Sequence, residues 1–124
     1  MTIGTGIDTV EVARFQRVLD TGNQRLLDRL FSPAEQQYCV PKKQAAACLA
    51  ARFAAKEAFV KALGTGLRDG IRWLEMEVDH DPLGKPLLLL SGTAQARFAQ
   101  QGCNRCHLSL SHDGGQAVAL VILE

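Results

Sequence analysis

The chain is predicted to fold as an α+β protein with N-terminal helices and a largely antiparallel sheet. Three observations predict it. Helical periodicity fills the first half, from Glu11 to Leu63. Alternating or short continuous apolar runs bounded by turn residues fill the second. Helices in one run and strands in another are the pattern of α+β folds. At 124 residues the chain reads as a single domain over 1–124, long enough to bury roughly two-thirds of its unfolded surface.

Each element has its own signature. Thr2 to Val10 reads as a short strand loosened by Gly4 and Gly6, closed by Asp8. Asp8 serves there either as the N-cap of the next helix or as a ligand at a strand end. Glu11 to Phe31 reads as helix interrupted near Thr21-Gly22-Asn23. Val12, Phe15, Val18 and Leu19 face inward before the break, and Leu26, Leu27 and Leu30 after it. Arg14 and Arg17 share an outer face, as do Arg25 and Arg29, which suits an acidic protein partner. Ser32-Pro33-Ala34-Glu35 carries an N-cap serine, a first-turn proline and a capping-box glutamate; Val40-Pro41 ends that short helix.

The stretch Cys48 to Gly66 is the organising helix, with Gly64 as its left-handed stop. Leu49, Phe53, Val60 and Leu63 form one apolar stripe, and alanines 47, 51, 54, 58 and 62 cover the opposite side. A helix apolar all round is a buried helix. Yet it carries Arg52, Lys56, Glu57 and Lys61, and buried charge is costly unless paired or holding a ligand. Spacing alone allows a Glu57–Lys61 pair one turn apart.

Beyond Gly66 the reading turns to strands. Trp73 to Val78 alternates, with Leu74, Met76 and Val78 inward and Glu75 and Glu77 outward. A turn at Pro82 to Pro86 returns Leu87 to Leu90 beside it, and Ser91 or Thr93 caps a helix that stops at Gly102. Cys106 to Ser111 alternates with His107, Ser109 and Ser111 on one face; Asp113-Gly114-Gly115 turns into the last strand, Ala117 to Leu123.

Composition excludes some classes. Fourteen Lys and Arg against 13 Asp and Glu give a net charge of +1, with none of the basic field that marks nucleic-acid binders. No run approaches membrane-spanning length and no signal peptide opens the chain, so a cytoplasmic protein is expected, with Cys39, Cys48, Cys103 and Cys106 as reduced thiols. Cys103-x-x-Cys106-His107 has haem-attachment spacing, but it lies on a loop-to-strand junction of a chain with no export signal. A zinc site would need a second ligand pair that the sequence does not offer.

Asp8, Glu57 and Lys61 suggest phosphate chemistry. Mg²⁺ is held by one or two carboxylates, with waters and substrate phosphates completing its shell, and a nearby lysine then meets a phosphate oxygen. The amides of Gly64-Thr65-Gly66 can approach a phosphate because no Cβ blocks them at the glycines. These residues do not choose a substrate.

Gly6-Ile7-Asp8-Thr9-Val10-Glu11 with Arg14-Phe15, then Phe31 to Glu35, then Arg52 to Gly66 together resemble the holo-acyl-carrier-protein synthases, the small stand-alone 4′-phosphopantetheinyl transferases. Gly84-Lys85-Pro86 and His107 to His112 continue the resemblance in order, so it covers essentially the whole chain. Cys103 to Cys106 belongs to no motif of that family. The resemblance implies transfer of the phosphopantetheine arm of coenzyme A to a serine of an apo acyl carrier protein, releasing adenosine 3′,5′-bisphosphate, in fatty acid biosynthesis. It implies Asp8 and Glu57 as Mg²⁺ ligands and Lys61 as the lysine on the transferred phosphate. It places Arg52, Gly64, Thr65, Gly66, Lys85, Pro86, His107 and Ser111 around coenzyme A, and Arg14 and Arg17 under the carrier. It also implies a homotrimer with sites between subunits. The serine needs a base, and Asp8 is the candidate, directly or through water on the metal. Two other classes use the same features: a Mg²⁺-dependent nucleotide phosphohydrolase, and a non-catalytic module binding an acidic partner through its first helix.

Overall fold

The computed structural model describes residues 1–67 and 70–124. Strand β1 (Gly4–Glu11) leads into α1 (Val12–Asp20), α2 (Gln24–Leu30), α3 (Pro33–Cys39) and the long α4 (Ala45–Leu63). A 3-10 turn at Trp73–Glu75 precedes β2 (Met76–His80), β3 (Pro86–Leu90), α5 (Gly92–Gln100), β4 (Cys106–Asp113) and β5 (Gln116–Leu123). Both sheets are antiparallel: three strands in the order β1-β5-β4, and the β2-β3 hairpin. The α+β class is as expected.

Helix α4 is the centre of the molecule. Leu49, Ala50, Ala54, Ala55, Ala58 and Phe59 are wholly buried, and β1, β5 and α1 pack around it. Its alanines let β1 lie almost backbone to backbone on it. A Cβ added at Gly6 would overlap the Ala58 carbonyl and come 2.8 Å from the Ala62 amide nitrogen; at Gly4 it would overlap the Ala62 carbonyl. These glycines therefore do not loosen the strand, as the sequence reading had it. They allow a close approach that only glycine permits. The helix stops at Gly64 with φ of 80°, and Gln101 Nε2 of the α5 end donates to the Leu63 carbonyl at 2.8 Å.

The capping box of α3 is present on both sides: Ser32 Oγ accepts from the Glu35 amide, and Glu35 Oε1 accepts from the Ser32 amide at 2.9 Å. Glu35 does more than the sequence suggested. Its buried carboxylate also accepts from the Val78 amide at 3.0 Å and from Lys56 Nζ at 2.7 Å, and that ammonium donates to the Leu30 carbonyl at 2.6 Å. One ion pair thus joins α2, α3, β2 and α4.

Several expectations are corrected. Asp8 lies inside β1 and caps nothing; the N-cap of α1 is Glu11, without a side-chain bond. Trp73 to Glu75 forms a 3-10 turn, so Leu74 points to solvent and the strand starts at Met76. Ser91 is the N-cap of α5 but makes no side-chain bond; Glu75 Oε1 accepts from the Ala94 amide instead, at 3.1 Å. Cys39 and Cys48 are not reduced thiols but form a disulfide, because the reversal at residues 40–44 brings the end of α3 within 5.4 Å (Cα–Cα) of the first turn of α4. Cys103 and Cys106 are free, and burial pushes the Cys106 thiol up to about 11. No helix among the described residues is long and apolar enough to cross a membrane.

Candidate active site

The close approach of β1 to α4 sets the site. Gly4, Gly6, Asp8 and Val10 share the β1 face turned to the helix, so a carboxylate follows two residues after the tightest backbone contact. Opposite it, Glu57 and Lys61 stand one turn apart on α4. Lys61 Nζ donates to Asp8 Oδ1 at 2.8 Å and to the Ile7 carbonyl at 3.1 Å. The lysine therefore pairs with Asp8 across the contact, and not with Glu57 along the helix.

Glu57 is half-buried. Burial first, then the charge of Asp8, raises its pKa above the ordinary carboxylate range, while Lys61 and Arg14 work against the rise. Two carboxylates near enough to repel, with an ammonium drawn to one of them, are a place where positive charge is favoured. Hard oxygen donors in this number suit Mg²⁺, which keeps most of its shell for water and phosphate. Among the described residues no group of three or more His, Cys, Asp or Glu converges on one point, which does not suit a zinc site. Asp8 and Glu57 are the two carboxylates that would hold Mg²⁺.

Arg14 reaches this site from α1. Its guanidinium lies 5.0 Å from the Phe53 ring centroid, and with Arg17 and Glu11 it lines a cleft of about 390 Å³ beside Asp8's strand. Arg52 is elsewhere: nine residues before Lys61, it points to the other side of α4, about 180° round. It is buried over the Tyr38 ring at 4.4 Å, with Nη1 on the Cys48 carbonyl at 3.4 Å and Nη2 against His80 Nε2 at 3.4 Å. It lines a groove of about 280 Å³ with Lys42, Ser111 and His112. Pro86 stands opposite His80 in the hairpin register, which brings Lys85-Pro86 towards this second group.

The Gly64-Thr65-Gly66 loop follows Lys61 at the end of α4, with positive φ at both glycines. His107 and Ser111 lie on the outer face of the three-stranded sheet, the face away from α4, and His107 Nε2 meets Glu124 Oε1 at 2.5 Å. One chain therefore brings together Asp8, Glu57, Lys61 and Arg14. Arg52 and Ser111 line a second groove, Lys85 and Pro86 stand at the hairpin end that pairs with His80, and His107 is apart from both sites. Tyr38 and His80 join Arg52 although no sequence spacing links them to it, and His112 of the His107 to His112 stretch lines the groove beside them.

The model of the 4′-phosphopantetheinyl transferase superfamily matches residues 4–121. This chain belongs to that family. It is 71% identical to a holo-[acyl-carrier-protein] synthase of Trichlorobacter lovleyi, over 100% of this chain and 98% of that one. It is 54% identical to one from Geotalea daltonii, over 100% and 99%. Among solved structures, the synthase of Neisseria meningitidis superposes with a TM-score of 0.89 at 34% identity, covering 100% of this chain and 99% of that one. The Helicobacter pylori synthase, solved in complex with coenzyme A, does so at 0.84 and 31%, covering 97% and 99%. As a phosphopantetheinyl transferase of the synthase type, the chain is an enzyme, and the Asp8–Glu57–Lys61 cluster lies within the matched span.

Proposed function

We propose that this enzyme moves the 4′-phosphopantetheine group of coenzyme A to a serine hydroxyl of an apo acyl carrier protein, leaving adenosine 3′,5′-bisphosphate, with Mg²⁺, in fatty acid biosynthesis. The observation that carries the reading is the convergence of Asp8, Glu57 and Lys61 where β1 meets α4. The coenzyme A complex of the Helicobacter pylori relative supports the donor, and the synthase relatives support the acceptor.

Asp8 and Glu57 are the residues that would hold Mg²⁺, which supplies positive charge against the pyrophosphate oxygens. Lys61 Nζ, within reach of the same carboxylate, donates to the transferred phosphate and to the departing one as charge builds there. Asp8 is the candidate acceptor for the serine proton, directly or through an intervening water. Gly64 to Gly66 offer amides to the phosphates. Arg52, Lys85, Pro86, His107 and Ser111, which lie away from the Asp8–Glu57–Lys61 cluster within one chain, would surround the nucleotide half across a subunit interface. Arg14 and Arg17, exposed on α1 beside the site, receive the acidic carrier.

The same reading favours a trimer. On the outer sheet face Ile7 is 60% exposed and stands opposite Leu120, itself 39% exposed, with Val118 and Ile122 on the same face. His107 and Ser111 belong to that face. Packing three such faces together buries the apolar residues and carries His107 and Ser111 towards a neighbour's Asp8 and Glu57. One 1–124 domain per subunit suffices.

Activity with Asp8→Asn and Glu57→Gln at limiting Mg²⁺ tests the metal assignment. Both variants should stay folded and lose turnover. Near wild-type rates in either would remove that carboxylate from the metal site. Phosphate release from nucleotides in the absence of a carrier would instead favour a phosphohydrolase.

A further inference from the structure

We infer that Lys61 is the resident counter-cation of Asp8 and couples divalent-cation binding to coenzyme A binding. The inference rests on the metal reading given above, and goes beyond it by giving the lysine a role before any substrate arrives. Its ammonium holds two acceptors of β1, Asp8 Oδ1 at 2.8 Å and the Ile7 carbonyl at 3.1 Å. The Asp8 side chain is 14% exposed, so this pair is shielded on the carboxylate side. A divalent cation coordinated by Asp8 would sit about 2 Å from its oxygen, and an ammonium hydrogen-bonded to the same carboxylate would then face a double positive charge at close range.

Lys61 must therefore leave Asp8 for the cation to bind. It is free to do so: its side chain is 51% exposed, on a flexible four-carbon stem. Once the cation holds Asp8 and Glu57 together, Lys61 is left without either carboxylate, and among the described residues its other hydrogen-bond partner is the Ile7 carbonyl. Coenzyme A supplies an anion in its pyrophosphate. Cation and coenzyme A thus each remove an obstacle to the other, and linkage requires the effect to be reciprocal.

Mn²⁺ titration of the full-length enzyme, followed calorimetrically or by the electron-spin signal of the free ion, tests this without turnover. Without coenzyme A, Lys61→Met should bind Mn²⁺ about tenfold more tightly than wild type, the order expected for removing a neighbouring positive charge at a partly shielded site. Lys61→Arg, which keeps the charge, should stay weak like wild type. Saturating coenzyme A should tighten Mn²⁺ binding in wild type and do so less in Lys61→Met. Equal or weaker Mn²⁺ binding by Lys61→Met, or equal coenzyme A enhancement in both proteins, would overturn the inference. Absence of Mn²⁺ binding even to wild type saturated with coenzyme A would overturn it too, and with it the metal site itself.

Discussion

Lys56→Met tests how the fold holds the site. Lys56 and Glu35 are fully buried, with no side-chain exposure on either. Burial pushes Lys56 below the ordinary lysine range, and Glu35 opposes that push. The substitution keeps apolar volume but leaves the Glu35 carboxylate buried with only the Ser32 and Val78 amides as donors, and takes the Leu30 carbonyl's ammonium partner away. Removing one partner of a buried pair costs about 3–5 kcal/mol. At roughly 4 °C per kcal/mol for a chain of this size, Tm should fall by about 12–20 °C. Lys61→Met is the control. Its ion pair is half-exposed on the lysine side, so about 0–1 kcal/mol is expected. Urea unfolding and thermal melts of both variants give the comparison. A loss under about 1 kcal/mol for Lys56→Met would refute the claim that this pair ties α2, α3 and β2 to α4.

The remaining predictions concern the site. Glu57→Gln should raise thermal stability at neutral pH while removing activity: a raised folded-state pKa means that ionising Glu57 disfavours the fold, so stability from this group is present at low pH and lost as pH rises through the folded pKa. The gain should vanish as pH falls below about 4.5, where the unfolded carboxyl is protonated as well; a gain that persists there would contradict the assignment. Lys61→Ala should lower kcat by about 10²–10³ with a smaller change in KM for coenzyme A. A normal rate per folded molecule would make it structural. Arg14→Glu with Arg17→Glu should slow carrier association in stopped-flow measurements, increasingly so at low salt, and leave coenzyme A binding unchanged. Unaltered carrier association would move the docking surface elsewhere.

Much of this architecture is legible in the residues because local chemistry determines it. Ser32-Pro33-x-Glu35 satisfies its own amides, Gly64 ends a helix of strong helix formers, and the alternation of β4 separates Leu108 from His107 and Ser109. What was not legible depends on partners far away in sequence. Gly4 and Gly6 read as loose until Ala58 and Ala62 lie against them. Lys61 has an i−4 glutamate by spacing, yet its partner is Asp8, 53 residues back. Lys56 and Glu35 show no periodic link, and Cys39 pairs with Cys48 only because a five-residue reversal returns α4 beside α3. For the candidate site, spacing linked only Glu57 and Lys61; carboxylate chemistry and the family resemblance added Asp8. Arg52 shares α4 with Glu57 and Lys61, yet helical geometry turns it to the opposite side.

The most direct measurement of the central claim is the intact mass of an apo acyl carrier protein incubated with this enzyme, coenzyme A and Mg²⁺. The account predicts that the carrier gains one phosphopantetheine on a serine while adenosine 3′,5′-bisphosphate appears in equal amount, and that Asp8→Asn yields neither. A carrier of unchanged mass beside intact coenzyme A, or beside coenzyme A cleaved by water, would contradict it.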